Sequence, residues 1–127
     1  MSVIGTNYAS ISNSDDAKYI EFVSMHKDKM YGYMFASITD TNPNIAQISN
    51  VINFEKADKF IFGRDLKAFL DLLKANGIKK VEWAVWEGNP AKRLYSRIKG
   101  VRYVGCYTRG VIHKGVEVDL HMYELFL

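Results

Sequence analysis

Apolar residues fall at two different periods along this chain, and the changes of period mark its elements. Leu66, Phe69, Leu70 and Leu73 stand at i, i+3, i+4 and i+7, one stripe of an α-helix. Asn76-Gly77 closes that helix, because glycine takes the left-handed C′ position without a Cβ penalty. Val81 to Trp86 is too short and too apolar for another helix, and it predicts a strand buried on both faces. Asn89 is a good N-cap, and Pro90 suits a first helical position. Ala91, Leu94, Tyr95 and Ile98 then repeat the helical stripe. Residues 60–98 thus predict turn, helix, strand, turn and second helix, an α/β unit whose strand ends point into two turns.

On either side of that unit the period is two. Val116, Val118, Leu120 and Met122 alternate with Glu117, Asp119, His121 and Tyr123, a clear strand. Lys18 to Met25 alternates in part, residues 26–29 form a turn, and Met30 to Thr39 completes a hairpin. Asp40 to Asn44 is a loop, and Ile45 to Phe54 is a third strand. Val101 to Arg109 predicts another strand, joined to the last by a connection over residues 110–115. Val3 and Ile4 open a short strand or a loose terminus, which turns polar at Ser12 to Asp16. The expected fold class is α+β (α/β). A mixed, mostly antiparallel sheet of six to seven strands carries two main helices. No repeat, linker or low-complexity tract divides the chain, so residues 1–127 are expected to form a single domain.

The composition narrows the function classes. With 127 residues, 48% hydrophobic and 24% charged, the chain can bury one core without staples. The net charge is +3, and its 17 basic residues are scattered among 14 acidic ones. That dispersal argues against a nucleic-acid partner, which asks for a basic patch or stripe. It remains compatible with an anionic ligand such as a nucleotide diphosphate. Cys106 is the one cysteine, so no intrachain disulfide forms and a reducing cytoplasm fits. No apolar run approaches the ~18 residues that span a bilayer, and no charged-then-apolar leader opens the sequence. Cytoplasmic localisation without membrane contact is the expectation. His26, His113 and His121 lie far apart and Cys106 lacks a second thiol, so no metal site is expected. Cys106 also has no histidine nearby in sequence to support a covalent mechanism. Phe54, Phe60, Phe62, Trp83, Trp86, Tyr103 and Tyr107 are expected in the core or in a cleft wall.

Gly88-Asn89-Pro90-Ala91-Lys92-Arg93-Leu94-Tyr95 resembles the Asn-Pro-Ala-x-x-Leu-Tyr signature of the GCN5-related N-acetyltransferase (GNAT) superfamily. Gly63-Arg64-x-Leu66 resembles the end of that family's pyrophosphate loop. The similarity runs from about Tyr19 to Leu127, with its strong motifs in the second half, and it is closest in kind to short phage- or prophage-borne members. It implies acetyl-CoA as co-substrate and direct attack on it by the amine of an acceptor. The cofactor would lie in a split between the third strand and Val81–Trp86. The resemblance places Tyr95 at the sulfur, where a phenol can protonate the leaving thiolate. Asn89 would bond the pantetheine arm, in competition with its role as a helix cap. The main chain of Ile52, Asn53 and Phe54 would pair with pantetheine. Phe60, Ile61, Phe62, Gly63 and Arg64 would hold the diphosphate, because an anion sits well at a helix N-terminus. Glu55 takes the family-like position of the general base. Glu82, in the middle of the buried strand, is the other candidate, since burial raises a carboxyl pKa.

The loop departs from the family pattern Gln/Arg-x-x-Gly-x-Gly/Ala. Only Gly63 matches, while Ile61 replaces the first glycine and Asp58 the leading Gln or Arg. Lys59, Arg64 and Lys67 are near enough to add positive charge. The competing reading there is a plain strand-to-helix turn with no ligand. For Tyr95, one of eight tyrosines, it is a place in the apolar stripe, and for Glu55 a solvated strand end. Too few residues precede Lys18 for a strand and the two helices the family carries there. The acceptor side is therefore expected to be open, to a protein chain end or lysine, or to a partner subunit that closes it. The unpaired final strand offers edge pairing in a homodimer. The alternative function is a catalytically degenerate protein of the same fold, acting as a CoA-binding or protein-interaction module.

Overall fold

The computed structural model describes residues 2–4, 7–14, 17–26, 29–39, 41–53, 59–89, 92, 95 and 98–127. In chain order the elements are β1 (Ser2–Ile4), β2 (Asn7–Asn13), β3 (Ala17–His26), β4 (Lys29–Thr39) and β5 (Ile45–Asn53). There follow α1 (Lys59–Ala75), β6 (Lys80–Trp86), β7 (Arg102–His113) and β8 (Val116–Phe126). The strands form one eight-stranded sheet in the order β1-β2-β3-β4-β5-β6-β8-β7. Setting aside the three-residue β1, seven strands remain, as expected. Every neighbouring pair is antiparallel except β5 and β6.

Alternation decides which face is covered. Ile20, Phe22 and Ser24 of β3 and Met34, Ala36 and Ile38 of β4 are buried, while the residues between them are half-exposed. The helix α1 lays Leu66, Phe69 and Leu73 on that face, with the Phe22 and Phe69 rings 5.8 Å apart. A polar contact fixes the helix in place. The Ser24 hydroxyl donates to the carboxylate of Asp65, which is wholly buried, and Arg64 Nε lies 3.3 Å from the other oxygen. At its far end α1 closes in a Schellman motif. Gly77 has φ 87°, its N–H bonds the Lys74 carbonyl at 3.1 Å, and the Ile78 N–H bonds the Leu73 carbonyl at 3.1 Å.

Five expectations are corrected. The final strand, β8, is not an unpaired edge, since it lies between β6 and β7. The helix begins at Lys59, so Phe60, Ile61, Phe62, Gly63 and Arg64 lie inside its first turns and not in a preceding loop. Nothing from 59 to 64 stops a helix except one glycine, and that costs only about 1 kcal/mol. The strand β6 is buried on one face only: Val81, Trp83 and Val85 are covered, while Ala84 is exposed. No helix among the described residues covers the other face. One helix is found among the described residues, not two. Beyond Pro90 only Lys92 and Tyr95 are described as helical. Finally, β7 continues through the expected connection to His113. Lys114 (φ 50°) and Gly115 (φ 77°) then make a two-residue turn with both central residues at positive φ, the twist that suits a hairpin. No helix among the described residues is long and apolar enough to cross a membrane.

Candidate functional site

The pairing of β5 with β6 is short. Ile45, Ala46 and Gln47 pair with Lys80, Val81 and Glu82, and there it ends. Among the described residues β5 continues to Asn53 and β6 to Trp86 without pairing to each other. Two parallel strands that part at their carboxyl ends open a crevice, the usual ligand position in an open sheet of this kind. The sequence of pairings on either side explains the parting. On one side β4 and β5 lose register: Tyr33 opposes Ile52 but Phe35 opposes Ser49, so β5 carries an extra residue. Such a bulge bends its strand and adds twist. On the other side β6 stays in step with β8 as far as Trp86 opposite Leu120. One margin carries a bulge while the other keeps an unbroken register.

The β6 margin is aromatic. Trp83 is the first residue past the last β5–β6 pair. Its ring lies 5.2 Å from that of Tyr95, tilted by 45°, and is stacked 6.0 Å from that of Tyr123. Tyr95 is 9% exposed, and burial pushes its phenol up to about 12. The hydroxyl is thus a neutral donor at any physiological pH. Trp83 is 5% exposed, and its indole Nε1–H has no hydrogen-bond partner among the described residues. The turn between β6 and Tyr95 is set by Gly88 at φ 90° and by the Asn89 N–H, which bonds the Trp86 carbonyl at 3.0 Å.

On the β5 margin, Ile52 and Asn53 occupy the end of the strand beyond the bulge, opposite Tyr33 and Gly32. Phe54 and Glu55 lie outside the described residues. Residues 54–58 separate β5 from the first turn of α1, whose leading N–H groups have no partner within the helix. Phe60, Ile61 and Phe62 belong to that turn. Gly63 follows it, and a Cβ there would meet nothing within 4 Å, so no close approach demands glycine. Arg64 is exposed beside Asp65, and Lys67 pairs with Asp71 at 3.1 Å. Glu82 points to the uncovered face, where it accepts from Gln47 Nε2 at 2.8 Å and lies 3.7 Å from Lys80 Nζ. It therefore lies on the side away from Tyr95.

Sequence reasoning missed three groupings. Trp83 is placed by the length of the β5–β6 pairing, and no local pattern announces that. Asp65 with Ser24 joins residues 41 positions apart. Glu87, His121 and Tyr103 form a chain: His121 Nε2 meets the Glu87 carboxylate, and the Tyr103 hydroxyl lies 2.9 Å from His121 Nδ1. The alternation of β8 was the only signal for that chain, since it puts His121 and Tyr123 on one face. Tyr103 and Tyr107, expected in the core or a cleft wall, are 54% and 62% exposed on β7. No group of His, Cys, Asp or Glu able to hold a metal occurs among the described residues.

Solved structures share this fold. An acetyltransferase-fold chain from Staphylococcus epidermidis, described as a probable acetyltransferase, superposes with TM-score 0.74 at 10% identity, over 85% of this chain and 67% of that one. A ribosomal-protein-alanine N-acetyltransferase from Brucella melitensis gives 0.73 at 14% identity, over 86% and 69%. A protein named yncA from Salmonella typhimurium, solved with its cofactor acetyl-CoA, gives 0.74 at 18% identity, over 86% and 65%. The chain has the GNAT acetyltransferase fold. No family model matches it, and no curated protein matches it by sequence. In this chain residues 14–16 separate β2 from β3.

Proposed function

We propose that this chain is an N-acetyltransferase that uses acetyl-CoA. The observation that carries the reading is the parting of β5 from β6 beside the buried Tyr95. Pantetheine would lie along the free edge of Ile52, Asn53 and Phe54, with Asn89 at the opposite margin. The diphosphate would rest on the first turn of α1, where the amides of Phe60, Ile61 and Phe62 and the side chain of Arg64 are the candidate donors. The acceptor amine forms a bond to the thioester carbon and the C–S bond breaks. The sulfur takes the Tyr95 proton, and the amine proton passes to a base, for which Glu55 is the candidate. The uncovered face and the short β2–β3 link suit a bulky acceptor, such as a lysine or chain end of a protein, or a partner subunit. The short phage-borne members of the superfamily are the nearest kind by motif.

Ile61 and Asp58 in the anion-binding stretch favour a second reading, a degenerate member that keeps the fold as a binding module. Isothermal titration with acetyl-CoA tests the first: saturable binding is expected, and none at millimolar ligand rejects it. A binding protein with no turnover on any amine supports the second.

A further inference from the structure

Buried N–H groups in folded proteins are almost always paired, because leaving one unsatisfied costs about 1–3 kcal/mol. Among the described residues, one buried side-chain nitrogen or oxygen breaks that rule, Nε1 of Trp83. Its position is not neutral. Trp83 sits at the fork, one residue past the last β5–β6 pair, and its ring packs 5.2 Å from that of Tyr95. The alternation of β6 turns it with Val81 and Val85 toward the face that carries Tyr95. The indole also stacks on the Tyr123 ring, 6.0 Å away. The donor is therefore buried and without a partner among the described residues.

We infer that Trp83 Nε1–H is a ligand-binding donor, and that its partner is the carbonyl oxygen of a bound acyl thioester. This rests on the function proposed above. If Tyr95 meets the sulfur, the carbonyl oxygen lies two bonds away, within the span of two neighbouring rings. An indole N–H donates only, so it suits an oxygen and rejects a cation. As the amine adds, the C=O electron pair moves onto that oxygen, and a buried donor strengthens its bond as the charge grows. Tyr95 and Trp83 would divide the work, one serving the sulfur and the other the oxygen.

The chain has two tryptophans, Trp83 and Trp86, so a ¹H–¹⁵N spectrum holds two indole signals. Trp83→Phe removes one and assigns it; should that variant not fold, Trp86→Phe assigns the pair instead. Saturating the wild-type protein with acetyl-CoA should move the Trp83 indole proton downfield, and CoA, which lacks the acyl carbonyl, should not. Trp83→Phe should bind acetyl-CoA about fivefold more weakly while its affinity for CoA stays unchanged. A Trp83 signal that stays still when calorimetry shows acetyl-CoA bound, or that moves equally with CoA, overturns the inference and leaves the acetyl-CoA reading intact. Failure of the wild-type protein to bind acetyl-CoA overturns both.

Discussion

The phenol of Tyr95 is kept neutral by burial, and neutrality is what a proton donor to a leaving thiolate requires. Replacing it with Phe keeps the ring against Trp83 and removes only the hydroxyl. Tyr95→Phe should lower kcat by about 10²-fold with little change in acetyl-CoA affinity, because the proton is needed after binding. Equal turnover in steady-state kinetics would remove Tyr95 from the mechanism. Stability should report the same burial. With its pKa raised from 10.0 to about 12, the folded phenol stays protonated while the unfolded one ionises. The contribution is fully present below pH 10 and is lost as pH rises through 12. Wild-type Tm should therefore fall more steeply than that of Tyr95→Phe between pH 10 and 12, by the equivalent of roughly 2 kcal/mol. Tyr95 was legible in the sequence because its motif is local. The unpaired Trp83 was not, because its state depends on where a strand pairing stops, and that is decided by a bulge across the sheet in β5.

At the scale of elements, α1 shows how far periodicity reaches. The stripe Leu66, Phe69, Leu70, Leu73 gave the helix and its buried face, and Asn76-Gly77 gave its end. Its start lies earlier than Gly63, because the turn before that glycine is helical already. Leu73 is fully buried, so Leu73→Ala should cost 2–5 kcal/mol in urea unfolding, roughly the range for such cavities. Ser24→Ala tests the other attachment. It strips a donor from a buried carboxylate, and a loss of about 1.5–3 kcal/mol is expected. A loss below 0.5 kcal/mol, roughly the size of a neutral surface change, would mean that the contact does not hold the helix. In β7, the register slips between Tyr107 and Val111, and Arg109 there takes φ 54°. Alternation alone cannot foresee such a bulge, so residues 110–113 looked like a connection. A Cβ on Gly110 would come within 2.9 Å of both Tyr107 and Leu120 side chains, so Gly110 marks the close approach that the bulge needs.

Among the described residues the helix α1 covers one face of the sheet. On the other, Tyr19 and Phe35 stack at 5.5 Å, half-exposed, and Phe35 stands opposite Ser49 beside the β5 bulge. That places an aromatic platform one strand from the crevice, on the face that no described helix covers. An aromatic surface of this size favours an acceptor with side chains of its own over a small free amine. A lysine-containing peptide should then be acetylated with at least ~10-fold higher kcat/KM than a simple alkylamine, the ratio that about 1.4 kcal/mol of added contact gives. Phe35→Ser should remove most of that preference while leaving alkylamine turnover and acetyl-CoA affinity unchanged, since Phe35 lies on the face opposite α1 and Tyr95. If the variant loses both activities equally, the platform supports the sheet and does not select the acceptor. If instead the wild-type Tm rises with protein concentration and Phe35→Ser abolishes that rise, a second copy of the chain occupies the face, because an obligate partner stabilises by mass action.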